Sequence, residues 1–297
     1  MATTAGAKLT PVPAEARNGS KAVKNRGGRR LDLSTLGGIA LALGGIIGGL
    51  ILEKGSIQDL TQGTAAMIVF GGTFGAVLVT TPLSIVLRAF RGLGQILFEP
   101  SSDTAETIER LIQFATQARK QGIVSLESDA GAVEEPFLRK SLGLAVDGTD
   151  LQELRKMMEI DIALAEHRTE GEAKVWEAAG GYAPTIGIIG AVMGLIQVMK
   201  HLEDIKEVGH GIAVAFVATV YGVGAANILF LPVASKLRIR MHQASLRRDM
   251  ILEGVTGIVE GLNPTLIRLK LDAYRDEPAV KKSKLGQPAE VNVGPKT

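Results

Sequence analysis

Four stretches of this chain contain no Asp, Glu, Lys or Arg: Leu33–Leu52, Thr64–Leu87, Gly181–Met199 and Gly211–Ser235. They run 20, 24, 19 and 25 residues, and a helix needs about 20 apolar residues to cross a bilayer core. A single run of this kind could be an all-round apolar helix buried in a soluble protein. Four of them specify an all-α integral membrane protein with four transmembrane helices. The remaining sequence is densely charged, so the mean hydropathy of +0.21 coexists with 22% charged residues only because the two are segregated.

The flanking Lys and Arg residues set the expected orientation. Residues 1–32 carry seven, at Lys8, Arg17, Lys21, Lys24, Arg26, Arg29 and Arg30, whereas the connection between the first two spans carries Lys54 alone. Arg88 and Arg91 follow span two, and Lys236, Arg238 and Arg240 follow span four. Both termini are therefore expected in the cytoplasm, with two short loops outside. Arg29-Arg30 ahead of an apolar run resembles a twin-arginine export signal, but the run is long enough to span and no small-x-small cleavage site follows it. The expected organisation is a disordered basic arm over 1–30 and spans one and two within 31–87. A helical cytoplasmic domain over 88–180 precedes spans three and four within 181–235. A helical cytoplasmic tail over 236–275 and a disordered C-terminus over 276–297 complete the chain.

The net charge of +2 hides a sharp division. Residues 1–32 hold seven bases against two acids, residues 88–180 eleven against seventeen, and residues 234–297 twelve against seven. The inner domain is thus an acidic working surface. Nothing in the global balance points to nucleic acid.

Within the inner domain, Ile108, Leu111, Ile112 and Ala115 mark one face of a helix from Asp103 to Lys120, with Gly122 placed as its C-terminal cap. Ser125–Asp129 could start a short helix, and Pro136 after Glu134-Glu135 begins another through Leu144. Asp150 followed by Glu153 resembles a capping box. The stripe Leu151, Leu154, Met158, Ile162 and Ala165 beyond it leads toward Trp176 and into span three as a stalk. Lys236–Val259 reads as helix, and Asn263-Pro264 starts a further helix to about Tyr274. No strand signal stands out.

The spans carry small residues at packing distance: Gly44 and Gly48 with Gly45 and Gly49 in span one, Gly71 and Gly75 in span two, Gly190 and Gly194 in span three. Such pairs let backbones approach closely in lipid. No span contains a carboxylate or histidine; their polar residues are Thr73, Thr80, Thr81, Ser84, Thr185, Gln197, Thr219, Tyr221 and Asn227. Hydroxyls and amides help coordinate a desolvated cation but do not exchange a proton near neutral pH. If the chain conducts ions, a partner must supply the acid. Thr73, Thr80 and Ser84 are expected to bond their own i−4 carbonyls or a neighbouring helix. Pro184 reads as the starter of span three, and Pro232 as a kink or a termination signal. The chain has no Cys, its histidines show no metal spacing, and no nucleophile triad, phosphate loop or paired-carboxylate set stands out. No enzyme, cofactor or metal site is expected.

At Gly180 the sequence GGYAPTIGIIGAVMGLIQVMKHLEDI, followed from Gly211 by GIAVAFVATVYGVGAANILFLPVASKL, resembles the last two spans of the MotA family of flagellar stator subunits, relatives of TolQ and ExbB. ARKQGIVSLESD (118–129), EEPFLRKSLGLAVDGTD (134–150) and MILEGVTGIVEGLNP (250–264) resemble MotA segments too, so the likeness covers roughly residues 31–275. It implies a stator subunit of the bacterial flagellum in the inner membrane. Five copies would surround two copies of MotB, whose membrane Asp relays the ion, and the cytoplasmic loops would push on the rotor protein FliG. By motif, Arg119 and Glu127 match the family's rotor-facing charges, and Lys120 occupies the adjacent basic position seen in some members. Pro184, Thr185, Thr219 and Pro232 match positions on its ion path. Ala191 resembles the proton-driven branch, where sodium-driven relatives commonly have Thr. The alternative reading is an energising subunit of the TolQ/ExbB kind, coupling the proton-motive force to outer-membrane processes. Those relatives typically have three spans and an external N-terminus. A lipid or small-solute transporter is disfavoured by the lack of intramembrane charge and of an internal repeat.

Overall fold

The computed structural model describes residues 30–96, 98–99 and 104–275; the basic arm up to residue 29 and the tail from 276 lie outside the described residues. A two-residue strand β1 (Arg30–Leu31) precedes α1 (Leu33–Leu52). Asp32 caps α1 by accepting from the Thr35 amide at 3.1 Å. A 3-10 turn at Ile57–Leu60 opens on a reciprocal capping box between Ser56 and Asp59. The chain then returns through α2 (Gly63–Ala66), a π-helical segment (Met67–Gly71) and α3 (Gly72–Thr80).

The second charge-free stretch is not one helix. Proline disfavours the helical conformation in the residue before it, and Thr81 is extended at φ −134°, ψ 133°. Residues 83–87 therefore belong to a separate helix, α4 (Leu83–Ile96), which buries Val86, Ala89 and Ile96. Hydropathy continues across Pro82, so composition alone overran the break. After α4, a two-residue strand β2 (Phe98–Glu99) pairs antiparallel with β1. This is the only strand pairing among the described residues, too short for an alternating pattern to betray.

The inner domain follows as α5 (Thr104–Gln121), a 3-10 turn (Ile123–Leu126), α6 (Glu127–Ala132) and α7 (Pro136–Val146). Gly122 ends α5 at φ +83°, a conformation glycine adopts without Cβ strain. Asp150 caps α8 through the amides of Gln152 and Glu153. Helix α8 (Leu151–Lys200) then runs unbroken for 50 residues, about 75 Å at 1.5 Å per residue, more than twice a bilayer core. Its outer partner starts as α9 (Ile205–Gly224), passes through a π-helical segment (Ala225–Phe230) and continues as α10 (Leu231–Val259). Asn263 then caps α11 (Pro264–Asp272).

Neither proline acts as a boundary. Pro184 lies inside α8 and starts nothing. Pro232 does not terminate span four; the π-helical turn ahead of it widens the ladder where proline lacks an N–H and its ring crowds the i−4 carbonyl, and the helix continues to Val259.

Two bodies of packing result. The inner domain closes around Ile108, Leu111, Leu126, Leu142, Leu154, Met158, Met250 and Ile251. At the membrane base, Trp176 and Phe230 pack with Val77, Ala89 and Ala179. Phe90 meets the Trp176 ring edge-on at 4.9 Å, and Phe74 meets Phe230 at 5.8 Å. The stalk joins the two bodies as continuous helix.

Candidate functional site

Spans three and four meet along a seam of small residues. A Cβ on Gly187 would stand 2.9 Å from the Ala218 carbonyl oxygen, and one on Gly222 2.5 Å from that of Ala183. Gly194 would meet the Gly211 carbonyl oxygen at 2.7 Å, and Gly190 the Ala218 Cβ at 2.8 Å. The two backbones touch because these positions have no side chains. Gly190 and Gly194 carry a sequence motif for this; Gly187, Gly211 and Gly222 do not sit in an isolated pair and were missed, although the run Gly187, Gly190, Gly194 follows helical spacing. Gly44 and Gly48 are different. No atom lies within 4 Å of a Cβ built at either, and no residue of α1 is buried. The described residues supply no partner for that face.

The hydroxyls matched to the ion path stand off the seam. Thr219 is half-buried and donates to the Ala215 carbonyl at 3.2 Å. It shares a stripe of α9 with Ile212, Phe216 and Val223, all exposed. Thr185 is exposed and donates to the Tyr182 carbonyl at 2.8 Å. Ala191 and Pro184 are half-buried, and Pro232 is exposed. Both threonines thus spend their proton on their own helix and keep oxygen lone pairs for an incoming group. Thr80 likewise bonds its own helix, at the Ala76 and Val77 carbonyls. Thr73 does not follow the expectation: it is completely buried and its Oγ1 has no hydrogen-bond partner. Tyr221 ties span four to the outer end of span two, donating to the Leu60 carbonyl and accepting from the Gln62 amide at 3.3 Å.

In the charged helical domain, Arg119 and Lys120 occupy the last turn of α5 and Glu127 begins α6. All three are exposed. Each sign matches its helix end, cations at a C-terminus and the acid at an N-terminus. The turn between them is held by Gln117, which donates to the Ser125 carbonyl at 3.0 Å and Asp129 at 2.8 Å, and by Leu126, which is fully buried.

Two charge clamps below the membrane had no local sequence signal. Asp32, 7% exposed, receives Lys236 at 2.6 Å and Arg240 at 3.0 Å, more than two hundred residues away. Lys236, then the Ser34 hydroxyl, the Thr35 amide and Arg240 hold its carboxyl far below the usual carboxylate range. Arg238 on α10 grips both Glu170, at 3.0 Å, and Glu177, at 2.5 Å, seven residues apart on α8. Beside them burial pushes the Glu172 carboxyl up, opposed by Arg88 at 4.0 Å. No group of acidic and histidine side chains among the described residues could hold a metal ion.

Residues 36–122 match the family described as Motility protein A N-terminal, and residues 129–250 match the MotA/TolQ/ExbB proton channel family. Motility protein A of Helicobacter pylori is 35% identical over 85% of this chain and 98% of its own length. Chemotaxis protein PomA of Vibrio alginolyticus is 32% identical over 83% and 96%. Among solved structures, C. jejuni MotAB superimposes with a TM-score of 0.80 at 33% identity, covering 85% of this chain and all of that one. The flagellar MotAB stator complex of Bacillus subtilis gives 0.75 at 32% identity, over 82% and 96%.

Proposed function

The chain belongs to the MotA/TolQ/ExbB proton channel family and is a flagellar stator subunit; from that premise we propose how its parts divide the work. Its partner is a MotB-type subunit, as in the MotAB complexes it superimposes on. The family is one of channels and stators rather than enzymes. The TolQ/ExbB alternative is not favoured, because the close relatives are motility proteins and the chain has four candidate spans.

The absence of any carboxylate or histidine from the four charge-free stretches carries the mechanism. The proton must ride on an acid from MotB, placed against the outward stripe that bears Thr219. Thr219 first offers lone pairs there. A rotation about its χ1 then trades the Ala215 carbonyl for the carboxylate. Thr185, Ala191 and Pro184 line the same route on α8, and Pro232, behind its π-helical turn, lines it on span four. Proton is the ion: Ala191 withholds the oxygen that a Thr would offer to dehydrated sodium.

Five copies surround the MotB pair in the inner membrane, within lipid, with both termini cytoplasmic. Arg119, Lys120 and Glu127 meet the rotor protein FliG. Exposed ion pairs contribute only about 0–1 kcal/mol each, so such contacts engage and release on every step. The grip of Arg238 on Glu170 and Glu177 makes α8 and α10 one lever between membrane and rotor.

Deleting the chain in a strain with no other stator is expected to leave filaments assembled but not rotating. Normal swimming would overturn the assignment. In the complemented strain, speed should follow the proton-motive force and ignore external sodium at fixed force. Speed tracking sodium would overturn the choice of ion.

A further inference from the structure

Helix α4 has three faces where an ordinary surface helix has two. Val86 and Ala89 are buried, and Leu93 half-buried, on the face that packs into the membrane base. Ser84, Arg88 and Arg91 are exposed and form a polar row at i, i+4 and i+7. Between these two faces runs a further exposed row with nothing polar in it. It consists of Leu83, Leu87, Phe90 and Gly94, at i, i+4, i+7 and i+11. The described residues leave this apolar row uncovered.

The position of α4 says what covers it. The rings of Phe74 and Phe90 lie 5.5 Å apart, whereas a straight helix would separate residues 74 and 90 by about 24 Å. Helix α4 therefore leaves the line of span two at Pro82 and doubles back against its base. At its other end, β2 pairs with β1, Arg30 opposite Glu99 and Leu31 opposite Phe98, and β1 leads directly into span one. A helix tied to the base of span two at one end and to that of span one at the other lies along the membrane face that both bases share. Its 14 residues extend about 21 Å there. The apolar row is thus continuous with the lipid-facing surface of the spans, which is the setting of an interfacial amphipathic helix.

The two arginines of α4 differ. Arg88 faces Glu172 at 4.0 Å. Arg91 is exposed and has no ion pair or hydrogen bond among the described residues. It stands one turn beyond Leu87, at the border of the apolar row, where its stem can lie along acyl chains and its head reach the headgroup level. A guanidinium takes a phosphate group through two parallel N–H bonds. In a zwitterionic headgroup that phosphate is already balanced by the ammonium of the same lipid. In an anionic headgroup it is not, so Arg91 favours the anionic one.

We propose that α4 is an interfacial anchor that holds an anionic phospholipid, its acyl chains over Leu83, Leu87 and Phe90 and its phosphate on the Arg91 guanidinium. The inference rests on the membrane reading of the spans and adds to it a headgroup preference and the residue that sets it. Because α4 joins the bases of spans one and two and packs on α8 beside Trp176, a lipid held there ties the two outer spans to the stalk.

The test uses the full chain with its MotB partner, the partner in cysteine-free form, reconstituted in phosphatidylcholine vesicles. Since the chain has no cysteine, Ser84→Cys gives it a single thiol in the polar row of α4, and Leu41→Cys gives one on the exposed face of span one. Each is labelled with a fluorophore that nearby spin-labelled lipid quenches. At position 84, spin-labelled phosphatidylglycerol is expected to quench at least two-fold more than the same amount of spin-labelled phosphatidylcholine. At position 41 the two lipids should quench alike. Arg91→Gln should bring the ratio at position 84 to one, and Arg91→Lys should keep it above one. Equal quenching by the two lipids at position 84 with Arg91 in place overturns the headgroup site. No quenching at position 84 with normal quenching at 41 shows that protein covers α4 and overturns it too. A preference that survives Arg91→Gln removes Arg91 from the site and overturns the proposal as stated. The first comparison leaves Arg91 unchanged, so it decides even if the Arg91 variants fail to assemble. Each of these failures leaves the stator assignment and the membrane reading of the spans standing; absence of quenching at position 41 as well would remove the membrane reading of span one itself, and the proposal with it.

Discussion

The buried hydroxyl of Thr73 and the buried carboxylate of Asp32 are opposite cases of the same rule. A polar group removed from water destabilises unless it is bonded. Thr73 Oγ1 is not, and an unsatisfied buried group costs about 1–3 kcal/mol. Thr73→Val keeps the shape and removes the hydroxyl, so it should leave thermal stability of the purified complex equal or higher. A loss above about 1 kcal/mol would mean that a partner reaches Thr73 in the assembled complex. Asp32 is fully engaged, and Asp32→Asn should lower stability by about 2 kcal/mol, the scale of hydrogen bonds to a charged group. The sign with pH follows from the direction of its shift. A carboxyl held below its unfolded value contributes fully above that unfolded value and loses its contribution only as pH falls through the lower folded one. The deficit of Asp32→Asn should therefore be constant from pH 5 to 8. A deficit that shrinks across that range would contradict the clamp. Neither behaviour was legible in the sequence. A Thr in a span reads as self-bonded by default, and the partners of Asp32 lie two hundred residues away.

Elements whose ends are set locally were legible, and those set by distant contacts were not. Gly122, Pro136, Asp150 and Asn263 mark helix ends because capping uses only the adjacent turn. The unbroken α8 followed from a stripe of apolar residues that never pauses. The split at Pro82 and the π-helical turn before Pro232 did not follow, since hydropathy records what surrounds a helix rather than its ladder. The pairing of α8 with α10 was equally invisible, because Glu170, Glu177 and Arg238 look like ordinary solvated charges. Their geometry makes a specific prediction at this scale. Arg238→Ala removes this clamp and leaves the Arg155–Glu253 ion pair and the Ser245–Glu166 hydrogen bond between the same two helices in place. Stall torque should fall at least two-fold while proton flux through the complex, measured by pH-dye quenching in vesicles, stays near wild type. A parallel loss of flux and torque would place Arg238 in the conduction path instead of the lever.

At the scale of the whole molecule, span one is the part that this chain does not explain by itself. It is joined to the rest at its N-terminal end, through the Asp32 clamp and the short β1–β2 pairing, and none of its residues is buried. Its four-residue glycine spacing has the form that brings membrane helices together, while the seam of spans three and four has already used its own glycines. The surface that span one serves lies outside the described residues, and lipid or another subunit are its two candidate partners. The two can be separated. Replacing Gly44 and Gly48 together by Leu adds bulk where nothing of this chain stands within 4 Å, so the inner domain and the seam should fold as before. If lipid alone covers that face, the extracted complex keeps its mass and its MotB content. If a neighbouring subunit covers it, overpacking of about 1–3 kcal/mol per contact is repeated around the ring, and the double substitution should yield smaller species by native mass measurement. The proposed five-subunit arrangement predicts the second outcome; an unchanged mass would assign the glycine face of span one to lipid.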